Sequence, residues 1–335
     1  LEAESWWMYR GEAQPPASEE RAPWPSPPPW RRFGGGPVRP APPDEDPGAA
    51  RYLGVGEAAP AGPDLDADGL AVVNAAVLLR RPLLVTGPHG AGKTSLAHRI
   101  GRELGLGRVL RWWISSRTTL REGLFSYDAV ARISAGAAGQ ADADPGRFVR
   151  LGPLGTALLP YERPRMLLIE GLDRSDVALA DELQGVFEDG GFCVPELRST
   201  PSARVAADDG PGAEVAEGRV QCLQFPVVVI TAEDEESLSP AFVERCMPLR
   251  LPGPPEPERL AASWLPPEMV EPAWRTALRV VEGMEPGRVP SAGALQDAMW
   301  LGAVRAQGGG WNSEGEYPGQ AALDALWRRG GGRGE

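Results

Sequence analysis

The octapeptide Gly87-Pro88-His89-Gly90-Ala91-Gly92-Lys93-Thr94 constrains this 335-residue chain more than any other feature. It matches G-x-x-x-x-G-K-[ST], follows the short apolar run Pro82 to Thr86, and precedes a helical pattern over Thr94 to Leu104. Strand, glycine-rich turn and helix in that order are the context this pattern requires. Glycines there let backbone N–H groups converge on phosphate oxygens, and the helix start adds its positive end. Lys93 would reach the β- and γ-phosphates, and the Thr94 hydroxyl would ligate Mg2+. The expected ATP-binding segment therefore runs through Gly87, Pro88, His89, Gly90, Ala91, Gly92, Lys93, Thr94 and Ser95.

Composition sharpens the role of Lys93. Lysine and arginine together number 34, and Lys93 is the single lysine. A chain that uses arginine almost everywhere else keeps one compact ammonium group where a planar guanidinium fork would not serve. The only histidines are His89 and His98, too few for a histidine-based catalytic or metal site. Cys193, Cys222 and Cys246 lack metal-binding spacing and cannot form a disulfide framework. The net charge of −12 argues against broad capture of nucleic acid or anionic membrane. No apolar run reaches the length of a membrane span, and the first residues carry no basic region of a secretory signal. The expected location is cytoplasmic, with no nucleic-acid partner and no membrane insertion.

Four segments follow from patterning. Residues 1–50 hold 12 prolines and the tryptophans Trp6, Trp7, Trp24 and Trp30, and read as a Pro/Trp-rich flexible arm. Trp24 and Trp30 flank Pro25-Ser26-Pro27-Pro28-Pro29, a polyproline II signature that either lies against its own domain or recognises a partner. Residues 51–252 read as the nucleotide-binding core. Strands are expected at Pro82–Thr86, Val109–Ile114, Arg165–Ile169 and Phe225–Ala232. Helices are expected after Asp66 or Asp68 and over Asp176–Glu188. Apolar strands alternating with helices predict an α/β fold with a parallel sheet covered on both faces. The Gly/Ala/Asp-rich stretches 135–147 and 199–218 read as mobile loops. Residues 253–305 read as a small all-α lid, with helices at Glu258–Leu265, Glu268–Val281 and Ser291–Val304. Residues 306–335 read as a Gly-rich tail carrying a short amphipathic piece at Ala321–Trp327.

A phosphate-loop protein that hydrolyses ATP also needs a carboxylate at a neighbouring strand end for Mg2+, followed by a group that orients water. The candidate is Met166-Leu167-Leu168-Ile169-Glu170-Gly171-Leu172-Asp173. Glu170 is the metal-side carboxylate, one methylene longer than the usual Asp, and Gly171 has no side chain where the water-orienting group is expected.

Taken together, Arg81–Thr94, Val109–Asp128, Leu151–Pro160, Pro164–Asp176, Val186–Leu197 and Phe225–Cys246 resemble the MoxR-type AAA+ ATPases, in the branch found in actinobacterial gene clusters. Trp7–Gly11 and Pro27–Arg31 resemble that branch's N-terminal arm. The resemblance covers roughly residues 6–250. It implies an AAA+ core with a helical lid, assembly into a ring, often hexameric, and ATP-driven remodelling of a protein client beside a von Willebrand factor A domain partner. The catalytic glutamate of the family falls on Gly171. Its sensor position, usually Asn, falls on Glu233, which either repels the γ-phosphate or acts as a displaced base. Asp173 is a second source of a carboxylate. The helix Pro240–Cys246 matches the one that presents an arginine finger, with Arg245 as the finger. Positioned general-base catalysis contributes about 10²–10⁴-fold, so its loss leaves binding nearly intact and slows turnover severely. Two functional classes follow: a ring subunit with slow hydrolysis, and a hydrolysis-deficient, nucleotide-bound switch or scaffold.

Overall fold

Leu83-Leu84-Val85-Thr86, Met166-Leu167-Leu168-Ile169 and Val227-Val228-Val229-Ile230 are apolar runs with almost no polar interruption, and each is a fully buried strand. Burial on both faces of a sheet selects such runs over alternating ones. A computed structural model of the chain describes residues 6–12, 14, 24–40, 46, 48–54, 62–138, 144–253, 257–265, 270, 293 and 296–300. In chain order its strands are β1 (Leu83–Thr86), β2 (Leu110–Trp113), β3 (Phe125–Tyr127), β4 (Val149–Leu151), β5 (Met166–Glu170), β6 (Gly191–Cys193), β7 (Ala203–Val205), β8 (Ala213–Val215), β9 (Arg219–Gln221), β10 (Val227–Thr231) and β11 (Met247–Arg250).

Contacts divide the chain into two units. The first comprises Leu1–Pro47, Leu65–Thr86 and Ile100–Leu249; the second comprises Gly48–Asp64, Gly87–Arg99 and Arg250–Glu335. The first unit is built on a five-stranded sheet of order β11-β1-β10-β5-β2. β1, β10, β5 and β2 run parallel, with Val85 opposite Thr231, Thr231 opposite Glu170, and Trp113 opposite Glu170. The carboxyl ends of three neighbouring strands thus finish within one residue of each other, at Thr86, Thr231 and Glu170. The fold is the mixed α/β class with a parallel sheet that the alternation of elements predicts.

Helices pack on this sheet for local reasons. The helix Ala67–Leu79 begins at Asp66, whose Oδ1 accepts from the Gly69 N–H at 2.8 Å. Such a cap satisfies one of the orphan donors at a helix start. The helix Val177–Asp189 buries Leu179, Leu183, Val186 and Phe187 on one face and is capped by Asp176. β2, at the sheet edge, alternates instead: Leu110 and Trp112 are buried while Arg111 and Trp113 face outward. Trp113 is 55% exposed. One ring of the tryptophan pair lies in the core, as its alternation across a strand requires.

Residues 199–218 are not the loop that their composition suggests. They form the antiparallel pair β7–β8, with Ala203 opposite Val215 and Val205 opposite Ala213. Those four side chains are buried, while Arg204 and Glu214 point outward. The alternation was present, but strands of three residues are too short to stand out from a Gly/Ala/Asp background. Just before β8, Asp209 forms a buried ion pair with Arg165, itself 1% exposed at the entry to β5. The expected loop over 135–147 is likewise entered by the helix Ala129–Ala137 and left by a 3-10 turn at Pro145–Phe148; residues 139–143 lie outside the described ones.

The described part of the Pro/Trp-rich arm packs on the first unit. Asn74, fully buried, accepts from the N–H groups of Met8 and Tyr9 at 2.7 and 2.9 Å and donates to the Tyr9 carbonyl at 2.8 Å. Trp24 lies against two guanidiniums, Arg80 at 5.4 Å and Arg163 at 5.5 Å. Arg80 also donates to the Pro25 carbonyl, and burial lowers its pKa to about 10. Arg31 donates to the Phe187 carbonyl at 2.7 Å. Trp30, in contrast, is 75% exposed.

In the second unit, the helix Pro257–Trp264 is present where Glu258–Leu265 was expected. The expected helices at Glu268–Val281 and most of Ser291–Val304, and the amphipathic piece at Ala321–Trp327, lie outside the described residues. No helix among the described residues is long and apolar enough to cross a membrane.

Candidate functional site

The phosphate loop follows directly from Thr86, the last residue of β1, and leads into the helix Lys93–Glu103. It belongs to the second unit. Gly87, Gly90 and Gly92 all take positive φ. At Gly92 (φ +86°) a Cβ would stand 2.8 Å from Pro63 Cδ, so both backbone conformation and space exclude a side chain. Lys93 bends back over its own loop: Nζ donates to the Gly87 carbonyl and, at 3.0 Å, to the Pro88 carbonyl. A phosphate would take over the ammonium from these two neutral oxygens. Ala91 is buried, whereas Pro88 and His89 are exposed on the loop's outer side.

Tyr52 and Pro63 brace this loop and helix. Ser95 Oγ donates to the Tyr52 carbonyl at 2.9 Å, and Arg99 donates to the Pro63 carbonyl at 2.7 Å. The Tyr52 ring stacks on His98, centroids 4.2 Å apart and 12° from parallel. The Ser95 hydroxyl is thus engaged within the fold by the Tyr52 carbonyl. His98, 4% exposed, is a packing residue.

The acidic strand ends belong to the first unit, where Glu170, Gly171, Asp173 and Glu233 come together. Gly171 leaves β5 with φ 77° and ψ 48°, the left-handed conformation, and starts the 3-10 turn Leu172–Arg174. Its N–H is shared by the Thr231 carbonyl and the Thr231 hydroxyl, both at 3.0 Å. A Cβ on Gly171 would lie 3.2 to 3.4 Å from the Arg174 side chain. Asp173 Oδ2 accepts from the Glu233 N–H at 3.3 Å, which ties the turn after β5 to the residue two places after β10. The Glu233 side chain itself is exposed.

Sequence reasoning missed the residues that surround Glu170. Its carboxylate is ion-paired to Arg111 from the neighbouring edge strand β2. Arg111 also lies over the Trp113 ring at 5.3 Å, and Arg174 lies against the same ring at 5.4 Å. The signal was the alternation in Leu110-Arg111-Trp112-Trp113, which puts Arg111 and Trp113 on one face. What it lacked was the register that sets them beside Glu170. Arg111 and Arg174 bring two guanidiniums to this strand end, and Asp173, whose Oδ1 is buried without a hydrogen-bond partner, brings a second carboxylate beside Glu170. Glu170, paired with Arg111, and Asp173 are the carboxylates at this strand end that would hold a cation.

Arg245 is engaged elsewhere. Its Nε donates to Glu188 Oε1 at 2.9 Å and its Nη1 to the Ala241 carbonyl at 3.0 Å. Gln184 donates to the same Glu188 oxygen at 3.1 Å. The Arg245 hydrogen bond, followed by that from Gln184, holds the Glu188 carboxyl below its usual pKa. Arg81 grips the turn from the other side by donating to the carbonyls of Glu244 and Arg245. Ser239 Oγ donates to Asp181 at 2.9 Å, a second tie from this segment to the helix Val177–Asp189.

No family model matches the chain, and no curated protein matches it. Among solved structures it is similar to NtrX from Brucella abortus, determined with ADP, at 12% identity and a TM-score of 0.34, over 75% of this chain and 52% of that one. It is also similar to a point mutant of RuvB from Thermotoga maritima, at 15% identity and a TM-score of 0.34, over 70% of this chain and 68% of that one. The chain spans about half the length of NtrX. Neither likeness bears on function, and the fold class rests on the strand order and register of this chain's own sheet.

Proposed function

We propose that this chain binds ATP through the loop Gly87–Thr94 and works as an AAA+ protein of the MoxR type, a ring subunit acting on a protein client. The observation that carries this reading is the phosphate loop itself. It stands between a buried parallel strand and a helix, and it holds the chain's only lysine. Its backbone N–H groups and the helix start would take the phosphate oxygens, while Lys93 would exchange its two carbonyl partners for the β- and γ-phosphates. Hydrolysis, if it occurs, is slow, because the position that would orient water is Gly171 and the turn there is shaped for glycine. Arg245 would act on the nucleotide of a neighbouring subunit. Residues from 253 onward would supply the helical lid.

ATP binding to the folded state alone must raise the melting temperature, by the equivalent of about 2.7 kcal/mol at a hundredfold excess over Kd. Wild-type protein should show this shift and Lys93→Ala should not. Equal shifts in the two would refute binding through this loop.

A second reading is supported by two specific observations. Gly171 lacks a side chain in a backbone conformation that disfavours one, and Arg245 is already engaged by Glu188. Both suit a nucleotide-bound switch or scaffold, in which ATP stabilises one conformation by preferential binding. Steady-state hydrolysis separates the readings. Phosphate release that Lys93→Ala abolishes supports the slow enzyme, and silence in a protein that still binds ATP supports the switch.

A further inference from the structure

We propose that the helix Ala67–Leu79 carries a peptide groove for the segment Trp6–Glu12, and that this groove accepts the same segment from a second copy of the chain, joining copies by exchange of their N-terminal segments. The proposal stands apart from the nucleotide reading and needs no bound nucleotide.

The groove shows first as one polar residue on an apolar face. Ala67–Leu79 buries Leu70, Val73, Ala76 and Val77, and among them Asn74. A primary amide in such surroundings is costly unless its polar atoms find partners. Asn74 directs both ends of its amide at the segment: Oδ1 accepts from the Met8 and Tyr9 N–H groups, and Nδ2 donates to the Tyr9 carbonyl. Nδ2 also donates to the Leu70 carbonyl of its own helix. Asn74 is thus placed to read peptide backbone, which the rest of this helix face cannot do.

The segment in turn has the pattern of a ligand. Trp7 and Tyr9 are buried, Met8 between them is half-buried, and Trp6 and Arg10 are exposed. That alternation belongs to an extended peptide whose side chains enter pockets on one side while its backbone is hydrogen-bonded. Glu103 supplies a further backbone contact by accepting from the Arg10 N–H. Segment, Asn74 and Glu103 all belong to the first unit.

The connection permits exchange. Eleven residues, 13–23, lead from Glu12 to Trp24, where Arg80 holds the chain again. A connection of that length reaches about 40 Å at full extension. A second copy presents an identical groove, so docking within one chain and docking between two make the same contacts. Effective concentration separates them, on the order of millimolar for a short tether. Docking within the chain prevails in dilute solution, and exchange competes where copies are held side by side. Swapping an identical element in this way is a low-cost route to association.

The test uses two full-length variants in which docking within the chain is blocked from opposite sides. Tyr9→Ser keeps the groove and spoils the segment. Asn74→Leu keeps the segment and removes the amide, with an apolar side chain that suits the helix face. Each protein is treated with trypsin, alone and mixed, and mass spectrometry separates the two N-terminal fragments. Alone, Asn74→Leu should be cut readily at Arg10. Mixed with Tyr9→Ser at about ten times Kd, that cleavage should slow about tenfold. Mixing with the double variant Tyr9→Ser/Asn74→Leu should give no protection. Cleavage unchanged by Tyr9→Ser at about 0.1 mM overturns the proposal, because a groove of about 10 μM affinity would by then be largely filled. Equal protection by the double variant overturns it too, since the groove would not be responsible. So does Asn74→Leu that alone resists trypsin as wild type does. Trp7→Ser and Asn74→Ala form a second pair should one of these proteins fail to fold.

Discussion

Arg245 and Glu188 form an exposed ion pair, Nε to Oε1 at 2.9 Å, that ties the turn after Ser239 to the helix Val177–Asp189 of the same chain. The finger role proposed for Arg245 would require it to leave this partner in its own chain. Glu188→Gln weakens this hold without changing the shape of the side chain. If Arg245 acts between subunits, Glu188→Gln raises steady-state hydrolysis several-fold, and adding Arg245→Ala removes the gain. Hydrolysis unchanged by Glu188→Gln would show that the pair holds nothing back.

The same pair has a defined pH window. Glu188 has its carboxyl pKa lowered in the folded chain, first by the Arg245 hydrogen bond and then by that from Gln184. A lowered folded-state pKa means the interaction is complete above the ordinary carboxylate range and is lost as pH falls through the folded value. Any effect of Glu188→Gln on activity should therefore be constant across neutral pH and shrink only under acid conditions. A difference that grows between pH 6 and 8, within the unperturbed range of about 6.5 for histidine, would point to another group.

Gly171 makes a stability prediction that differs from its catalytic one. Its φ of 77° is left-handed, and a Cβ would crowd Arg174 at 3.2 Å. Gly171→Glu, which would place a carboxylate at the position proposed to orient water, should lower stability by about 1–2 kcal/mol through backbone strain. Gly171→Asn, which tolerates this conformation better, should cost less. Thermal or urea unfolding of the two variants checks the order, and an unperturbed Gly171→Glu protein would contradict it.

Asn74 locks the start of the chain. Its side chain serves the N–H groups of Met8 and Tyr9 and the carbonyls of Tyr9 and Leu70, with all four distances between 2.7 and 2.9 Å. Asn74→Ala removes this partner from the Met8 and Tyr9 N–H groups and the Tyr9 carbonyl, at about 1–3 kcal/mol for each that neither water nor another group satisfies. The expected outcome is release of the segment around Tyr9, seen as new proteolysis near Arg10 and a lower melting temperature. Resistance equal to wild type would show that Tyr9 packing alone suffices.

Among the cysteines, burial pushes the thiols of Cys222 and Cys246 up to about 12, while Cys193 is half-buried and contacts Arg198 at 3.5 Å. The thiolate is the reactive form. A maleimide at pH 7 to 8 should modify Cys193 in the folded chain and spare the other two, whose thiols stay protonated throughout that range. Labelling of all three before unfolding would contradict the burial.

Much of this was readable from the sequence. β1, β5 and β10 open with runs of three or four apolar residues, and the phosphate loop sits in the order strand, turn, helix that gives its pattern meaning. The helix after Asp66 was expected from Asp66 or Asp68, and the one capped by Asp176 was expected over Asp176–Glu188. What could not be read was lateral. Nothing near Arg111 says that β2 will lie beside β5 in the register that meets Glu170, because a crossover connection leaves pairing to tertiary packing. The same holds for Asn74 and Tyr9, 65 residues apart, and for Arg245 and Glu188, 57 apart. β7 and β8 escaped notice because three-residue strands offer only one and a half periods of alternation. The sequence resemblance located Gly171, Glu233 and Arg245, and the partners that now constrain each of them emerged only from the fold.

The central claim is that Lys93 and its loop bind ATP. The most direct measurement is the dissociation constant of a fluorescent ATP analogue for wild type and Lys93→Ala, with the folded state of each verified by circular dichroism. Saturable binding by wild type, weakened about a hundredfold or more in Lys93→Ala, is the predicted result for loss of a charge-assisted contact worth about 3 kcal/mol. Equal affinity in the two proteins, or no binding by either, would contradict it.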